Sequence, residues 1–483
     1  MSVSFAAIDL GTQSLRISVV NSHGEALWRW SHAVQSRING PIYEQSPEEW
    51  ATLLGEALGE LGRTGLAPDA LAVAAPLAGY IAVDSAGRAL TPALMYPDHR
   101  TARHIEPVEQ AVRTCSGSNP YGLRTTIADP LPHWLRLRDQ PALCARTHRL
   151  LDATGWLNEY LTGISTINTY TALRLYNSEV RQQLQVPEAL FGRTTAIGAV
   201  IGALRPALCD RFQLPAVPVI SATFDSKCAY IGGGIHETGA GLDISGTVTS
   251  FGVVSASVLI DEKRRVYSVP FGRDKFLARG SNASSGGILE WARKELLADS
   301  FEAMDALVAS TQPTTRSPIF LPYMAGERTP LWNPFATGAI LGLSLDQSNR
   351  NHLARAIYEG IAFSLCHITE TLSECGAKIG SIRLAGGLAR SNTLAQIKSD
   401  VLGRELIRYS ETELTTIGLC IIAGHALKVW RPDEDANAFF LKPDRIFTPD
   451  PQNHHIYEQN FRRYTQAITA LLPTFKGTDE TAA

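Results

Sequence analysis

The sequence predicts an α/β protein built from two related lobes. Short apolar strands alternate with helical stretches along the chain, and one pattern occurs twice: a strand, a glycine-threonine turn and a second strand. The two turns, Gly11-Thr12 and Gly246-Thr247, lie about half the chain apart. A single period that long indicates a duplicated domain and not a solenoid. The 483 residues accommodate about three ordinary domains or two large ones. We place the lobes at residues 1–236 and 237–483.

The elements follow in order. Residues 4–10 and 15–21 read as strands, and Ser22-His23-Gly24 turns the chain into a third around Trp28 and Trp30, which pack one strand face. Ser46 caps a helix that begins at Pro47. Residues 71–75 read as a buried strand, and Asp84-Ser85-Ala86-Gly87 as a hairpin turn. From about 129 to 163 the period is helical, with Trp134, Leu135, Leu137, Leu150, Leu151 and Leu157 on the buried stripe. A strand at 217–222 leads to Asp225 and then to the glycine-rich 232–234. The pattern then restarts at 241–254, followed by Ser285-Gly286-Gly287 before a helical 289–297. A long helix at about 351–374 precedes a strand at 382–385, which feeds Gly386-Gly387. Residues 392–402 and 417–427 read as helices, the latter rich in small residues and suited to close packing.

Composition removes several function classes. Hydrophobic residues make up 45% and charged residues 19%, as in ordinary globular proteins. A formal charge of −3 offers no basic excess for nucleic acid or an anionic membrane. The seven cysteines are dispersed, with no Cys-x-x-Cys pair, which argues against zinc and for free thiols in a reducing compartment. No basic leader and no run near ~20 apolar residues is present, so a soluble cytoplasmic protein is expected.

The glycine-threonine turns carry the first chemistry. A tight turn of Gly and Thr presents backbone N–H groups and a hydroxyl to one point, which makes an anion site, and glycine permits close approach of a phosphate. An aspartate just before such a turn, Asp9 or Asp243, can hold magnesium or accept a hydroxyl proton. One such turn is read more economically as a hairpin whose Asp satisfies its own backbone. Two of them, with a third glycine turn at Gly386-Gly387, favour a nucleotide site.

These residues carry a resemblance. Asp9-Leu10-Gly11-Thr12, Asp243-Ile244-Ser245-Gly246-Thr247 and Leu384-Ala385-Gly386-Gly387 resemble the two phosphate segments and the adenosine segment of the actin-like ATPase fold. The stretch 320–330, with Gly326-Glu327-Arg328-Thr329-Pro330, and Gly338 and Gly342-Leu343-Ser344 beyond it, resembles the FGGY carbohydrate kinases, nearest their xylulose kinase branch. Residues 44–50 and the run from Gly386 to Gly403 match the same family.

The resemblance implies two ribonuclease H-like lobes with the active site in the cleft between them. It also implies transfer of the γ-phosphate of ATP, with Mg2+, to a sugar hydroxyl, a reaction that needs positioning, charge neutralisation and a base. It gives Asp225 the role of base, a position at which Asp also serves as a helix cap. It gives Asp9 the magnesium ion, and Gly11, Thr12, Gly246, Thr247, Gly286, Gly387, Ser391 and Asn392 the nucleotide. The resemblance alone suggests a homodimer, and nothing in the residues settles the oligomeric state.

The acceptor end departs from the family. Where xylulose kinase-like members carry Gly-Gln-Met-His-Gly, this chain has Ala75-Pro76-Leu77-Ala78-Gly79, so a hydrogen-bonding edge has become apolar. Leu77 and Ala78 are expected at the acceptor, with Asp98 as a sugar-hydroxyl ligand and Arg100 beside it as a brace or a surface ion pair. Lys227 either lowers the pKa of Asp225 or points elsewhere from the start of a helix. The expected function is a ketose kinase, for a pentulose such as xylulose or ribulose. The alternatives are a kinase for a tetrulose, sugar alcohol or open-chain signalling ketose, and a non-catalytic actin-like ATP-binding protein.

Overall fold

The structure is a computed structural model that describes residues 2–272, 274–297, 300–346, 348–431 and 435–476. The chain forms two compact units: Met1–Gly234 with Glu413–Leu441, and Ile235–Thr412 with Lys442–Ala483. Residues 413–441, read from the sequence with the second lobe, thus pack with the first unit. The reason is the helix Leu414–Ala426, most of whose residues are buried. A helix apolar on nearly all sides must be covered on all sides. It lies against the strands Ser4–Leu10 and Ala70–Ala74 and the helix Asp225–Gly232. Its small residues permit the contact: a Cβ on Gly418 would fall 2.0 Å from the Cys228 carbonyl oxygen, and one on Gly232 2.0 Å from that of Leu414.

Each unit carries one main sheet, and the two share a plan. In the first, Ser4–Leu10 pairs antiparallel with Ser14–Asn21, which pairs antiparallel with Ala26–Ala33. On its other side Ser4–Leu10 pairs parallel with Ala70–Ala74, and that strand pairs parallel with Pro218–Ile220. In the second unit Gly241–Ser245, Thr249–Ser255 and Phe276–Ser281 form the antiparallel trio. Ile382–Ala385 and Leu406–Tyr409 are the parallel pair. This order, three antiparallel strands continued by two parallel ones, is the ribonuclease H-like arrangement the resemblance implies. Central strands are buried on both faces, which explains their near-continuous apolar reading.

Local signals mostly agree with the elements. Ser46 accepts the Glu49 amide at 3.3 Å as the cap of the helix Pro47–Thr64. Leu150 and Leu151, expected on a helical stripe, instead lie in the strand Arg149–Leu151, which pairs with Ile81–Val83. Asp152 stops that strand, because its side chain caps the next helix, Ala153–Thr162. No helix among the described residues is long and apolar enough to cross a membrane.

Candidate active site

In the first unit the carboxyl ends of three neighbouring strands converge. Asp9 lies opposite Ala74, the last residue of its parallel neighbour. The next residue, Ala75, accepts the backbone N–H of Asp225 at 2.9 Å. Asp225 opens the helix Asp225–Gly232, which follows the third strand, Pro218–Ile220. Open α/β sheets bind ligands at this edge. The Asp225 carboxylate accepts its neighbour Ser226's N–H at 2.5 Å and is half-buried. Cys228, one turn on, is pushed up to about 12 by burial, with the negative charges of Asp225 and Asp9 adding to the shift. One buried thiol therefore senses both carboxylates.

Asp9 is 1% exposed, and its Oδ2 accepts from Arg16 at 2.6 Å. Arg16 in turn reaches Glu413 at 2.9 Å. Burial pushes the Asp9 carboxyl up to about 6 against the lowering effect of Arg16. A hard oxygen donor held by one arginine suits magnesium, which binds through one or two carboxylates plus phosphates and water. The turn after Asp9 is braced by Gln45, whose Nε2 donates to the Thr12 carbonyl at 2.8 Å while its Oε1 accepts from Trp50 at 3.1 Å. Gly11 and Thr12 are both partly exposed at this turn.

The departing stretch Ala75-Pro76-Leu77-Ala78-Gly79 lies directly beside Asp225, through the Ala75 carbonyl. Leu77 is partly exposed and Ala78 is 2% exposed. Ala78 adopts φ +89°, a left-handed conformation rare for a residue with a Cβ. Its carbonyl accepts the Ala153 N–H at 3.2 Å and the following Gly79 N–H donates to Leu94 at 2.9 Å, so the surroundings hold the strain.

Asp98 and Arg100 form a bracket. Asp98 is 1% exposed and accepts the amides of Tyr43 and Arg100, each at 3.0 Å, and the Arg100 guanidinium at 2.6 to 3.0 Å. Burial opposes the Asp98 charge, yet the Arg100 guanidinium and these amides hold its carboxyl below the usual range. Arg100 also donates to Glu44 at 2.7 Å. A carboxylate has about four acceptor positions, and these donors occupy them, so Asp98 acts on its surroundings through Arg100. The Lys227 ammonium lies 4.0 Å from the centre of the Tyr170 ring.

In the second unit three glycine turns meet. The Gly286 N–H donates to the Gly246 carbonyl at 2.9 Å, and the Ser285 N–H to that of Thr247 at 2.8 Å. Gly386, at φ +83°, backs on Ser245: a Cβ there would fall 2.4 Å from the Ser245 carbonyl oxygen. Gly246 and Gly286 are partly exposed, and Thr247 is exposed. Gly387 opens the short turn Gly387–Arg390, and the helix Asn392–Leu402 follows it. Ser391 caps it, accepting the Leu394 amide at 3.0 Å and donating to Asp305 at 2.9 Å. The Asn392 Oδ1 accepts from Arg408 at 2.9 Å. Asp243, considered above for magnesium, is committed elsewhere: Lys398 donates to it at 2.6 Å. Sequence reasoning missed Arg16, Gln45 and Lys398, because pairing across strands and between strand and helix leaves no local pattern. It also missed Glu327, which accepts the Ala283 N–H at 3.0 Å and whose carboxyl burial pushes up to about 8.

Two duplicated sheets, carboxylates at one strand edge and converging glycine turns define a phosphotransferase architecture. Residues 4–232 match the N-terminal domain, and 243–427 the C-terminal domain, of the FGGY family of carbohydrate kinases. The chain belongs to this family and is a phosphotransferase with a sugar hydroxyl as acceptor and ATP as the phosphate source, which sets aside the non-catalytic reading. It is 26% identical to a xylulose kinase from Staphylococcus epidermidis, over 97% of this chain and 98% of the relative. Its fold matches a xylulose kinase from Lactobacillus acidophilus with a TM-score of 0.90 at 19% identity, covering 98% of this chain and 99% of the other. A gluconate kinase from the same organism matches with a TM-score of 0.90 at 18% identity and the same coverage.

Proposed function

We propose that this chain phosphorylates a ketose, a pentulose such as xylulose or ribulose, with Asp225 as the general base. The observation that carries the reading is the placement of Asp225: the first residue of a helix, its amide tied to Ala75, beside Asp9. In the proposed reaction Asp225 accepts the proton of the attacking hydroxyl while the γ-phosphate leaves ADP. Asp9 is the residue that would hold Mg2+, and the ion would supply charge neutralisation on the phosphates. The backbone amides of Thr12 and Thr247, with the two threonine hydroxyls, position the phosphates, while the Gly11 and Gly246 amides close the turns on Ser14 at 2.8 Å and Val248 at 2.9 Å and the two glycines leave room for close approach. Gly286 and Gly387 leave room for the nucleotide, and Ser391 and Asn392 hold the end of the helix beside it. Leu77 and Ala78 form the acceptor wall, with the Asp98–Arg100 bracket behind it.

The relatives named xylulose kinase support a pentulose. The Leu77-Ala78 wall supports a second reading, a different acceptor, because a hydrogen-bonding site discriminates more strongly than an apolar one. The test is acceptor-dependent ADP release with ATP and magnesium across pentuloses, tetruloses, polyols and gluconate. Turnover led by a pentulose supports the first reading, and turnover led by any other acceptor supports the second. No acceptor-dependent release with any of them would sink both.

A further inference from the structure

Beneath the glycine turns of the second unit runs a chain of buried polar side chains that the reaction at Asp225 does not use. Lys398, in the middle of the helix Asn392–Leu402, donates from Nζ to Asp243 Oδ2 at 2.6 Å and to Ser245 Oγ at 2.8 Å. Ser245 Oγ lies 2.6 Å from Asp243 Oδ1 and 2.8 Å from Thr249 Oγ1, which lies 2.8 Å from Ser285 Oγ. Asn282 donates from Nδ2 to Ser285 at 2.7 Å and to Ser364 at 3.2 Å, and its Oδ1 accepts the Thr249 N–H at 2.7 Å. None of these seven residues is more than 2% exposed.

Donor bookkeeping gives the chain one direction. A carboxylate only accepts and an ammonium only donates, so the Ser245 hydroxyl must donate to Asp243. Thr249 must then donate to Ser245, and Ser285 to Thr249, while Asn282 supplies Ser285. The hydroxyl protons of Ser245, Thr249 and Ser285 all point toward the Asp243 charge, and Lys398 balances that charge. Networks of this kind are rigid when every member is satisfied.

Its position says what it holds. Ser245 immediately precedes Gly246-Thr247, and Ser285 immediately precedes Gly286. The Ser245 carbonyl is also the surface on which Gly386 rests. All three turns therefore stand on one buried frame. A buried ion pair is weak evidence for stability, since a hydrocarbon of similar volume often does as well. The first unit supplies that comparison. Counting back from the paired residues Leu10–Leu15 and Ser245–Thr249, the counterpart of Asp243 is Ile8, a fully buried core residue.

We propose that Lys398 and Asp243 are positioning residues for ATP. Their ion pair fixes the direction of the hydroxyl chain and thereby the spacing of the three turns that grip the nucleotide. The proposal rests on the nucleotide reading of those turns.

The test uses the full-length protein in two variants. Lys398→Met with Asp243→Asn removes both charges together, so neither is left buried alone. Ser245→Ala keeps the ion pair and breaks the hydroxyl chain. ATP affinity is read by titration calorimetry, and KM is measured separately for ATP and for the acceptor. We expect ATP to bind about tenfold more weakly to the double variant and about threefold more weakly to Ser245→Ala, with the acceptor KM unchanged. Unchanged ATP affinity in the folded variants, with only a lower melting temperature, would overturn the proposal. So would an acceptor KM that rises in step with that of ATP. If the double variant does not fold, Ser245→Ala decides alone. Wild-type protein that fails to bind ATP would remove the nucleotide reading itself, and the proposal with it.

Discussion

The carboxylates before the two glycine-threonine turns have opposite surroundings. Asp9 stands two residues before Gly11 and pairs with Arg16, whose side chain is 38% exposed. Asp243 stands three residues before Gly246 and pairs with Lys398, whose side chain is 3% exposed. Side chains alternate along a strand, so an offset of one residue sends them to opposite faces of the sheet. Asp9 lies at the strand edge where Asp225 sits. Asp243 lies at a core position. A partner that solvent reaches can release its carboxylate to a cation, whereas a sealed pair serves as a frame. The two copies thus share the turn, while the acid before it stands at a different strand position in each, in different surroundings.

The largest effect should come from Asp225. Asp225→Asn should lower kcat about a thousandfold, within the usual range for removing a general base, with ATP affinity unchanged by calorimetry. A loss below tenfold would move the base elsewhere. Next comes Asp9. Its carboxyl, pushed up to about 6, must ionise to hold a cation, so kcat/KM should fall as pH drops through about 6. Because burial raises this pKa in the folded chain, Asp9 costs stability as pH rises from its ordinary 3.8 to about 6. Asp9→Asn should therefore raise the melting temperature at pH 7 while cutting turnover about a hundredfold, and a fall in both would contradict the contrast with Asp243.

A packing effect comes third. Gly418→Ala would press a Cβ within 2.0 Å of the Cys228 carbonyl oxygen, in the helix that Asp225 begins. It should cost about 3 kcal/mol in urea unfolding; a neutral result would show that this crossing is loose. Last comes Glu327→Gln, whose effect depends on pH. Burial raises the Glu327 carboxyl from 4.5 to about 8, so it is mostly neutral at pH 7. The wild type loses stability as pH rises between those values and the Gln variant does not. The variant's melting temperature should match wild type near pH 5 and exceed it at pH 9, and parallel curves would contradict the shift.

Much of the fold was legible because its signals are local. The strand Ser4–Leu10, the Ser46 cap and the helix Asn392–Leu402 each follow from a few adjacent residues. The segment 149–151 was misread because two adjacent buried leucines suit a strand or a helix equally, and only the pairing with Ile81–Val83 decides. The return of residues 413–441 to the first unit was hidden for a related reason: the small-residue helix announces close packing but not its partner. At the site the turns and Asp225 were readable from motif. The Arg16 and Lys398 pairings were not, since each joins separate elements; Arg100 was readable as a brace for Asp98, but not that its donors exhaust that carboxylate. The strain at Ala78 was equally silent, because φ is a property of the folded loop.

The division of labour between the two acids is tested most directly by titrating magnesium against turnover at saturating ATP. The comparison is between Asp9→Asn and the Lys398→Met with Asp243→Asn double variant. The magnesium concentration for half-maximal rate should rise at least tenfold in Asp9→Asn and stay at the wild-type value in the double variant. An equal rise in both, or a rise only in the double variant, would contradict this division of labour.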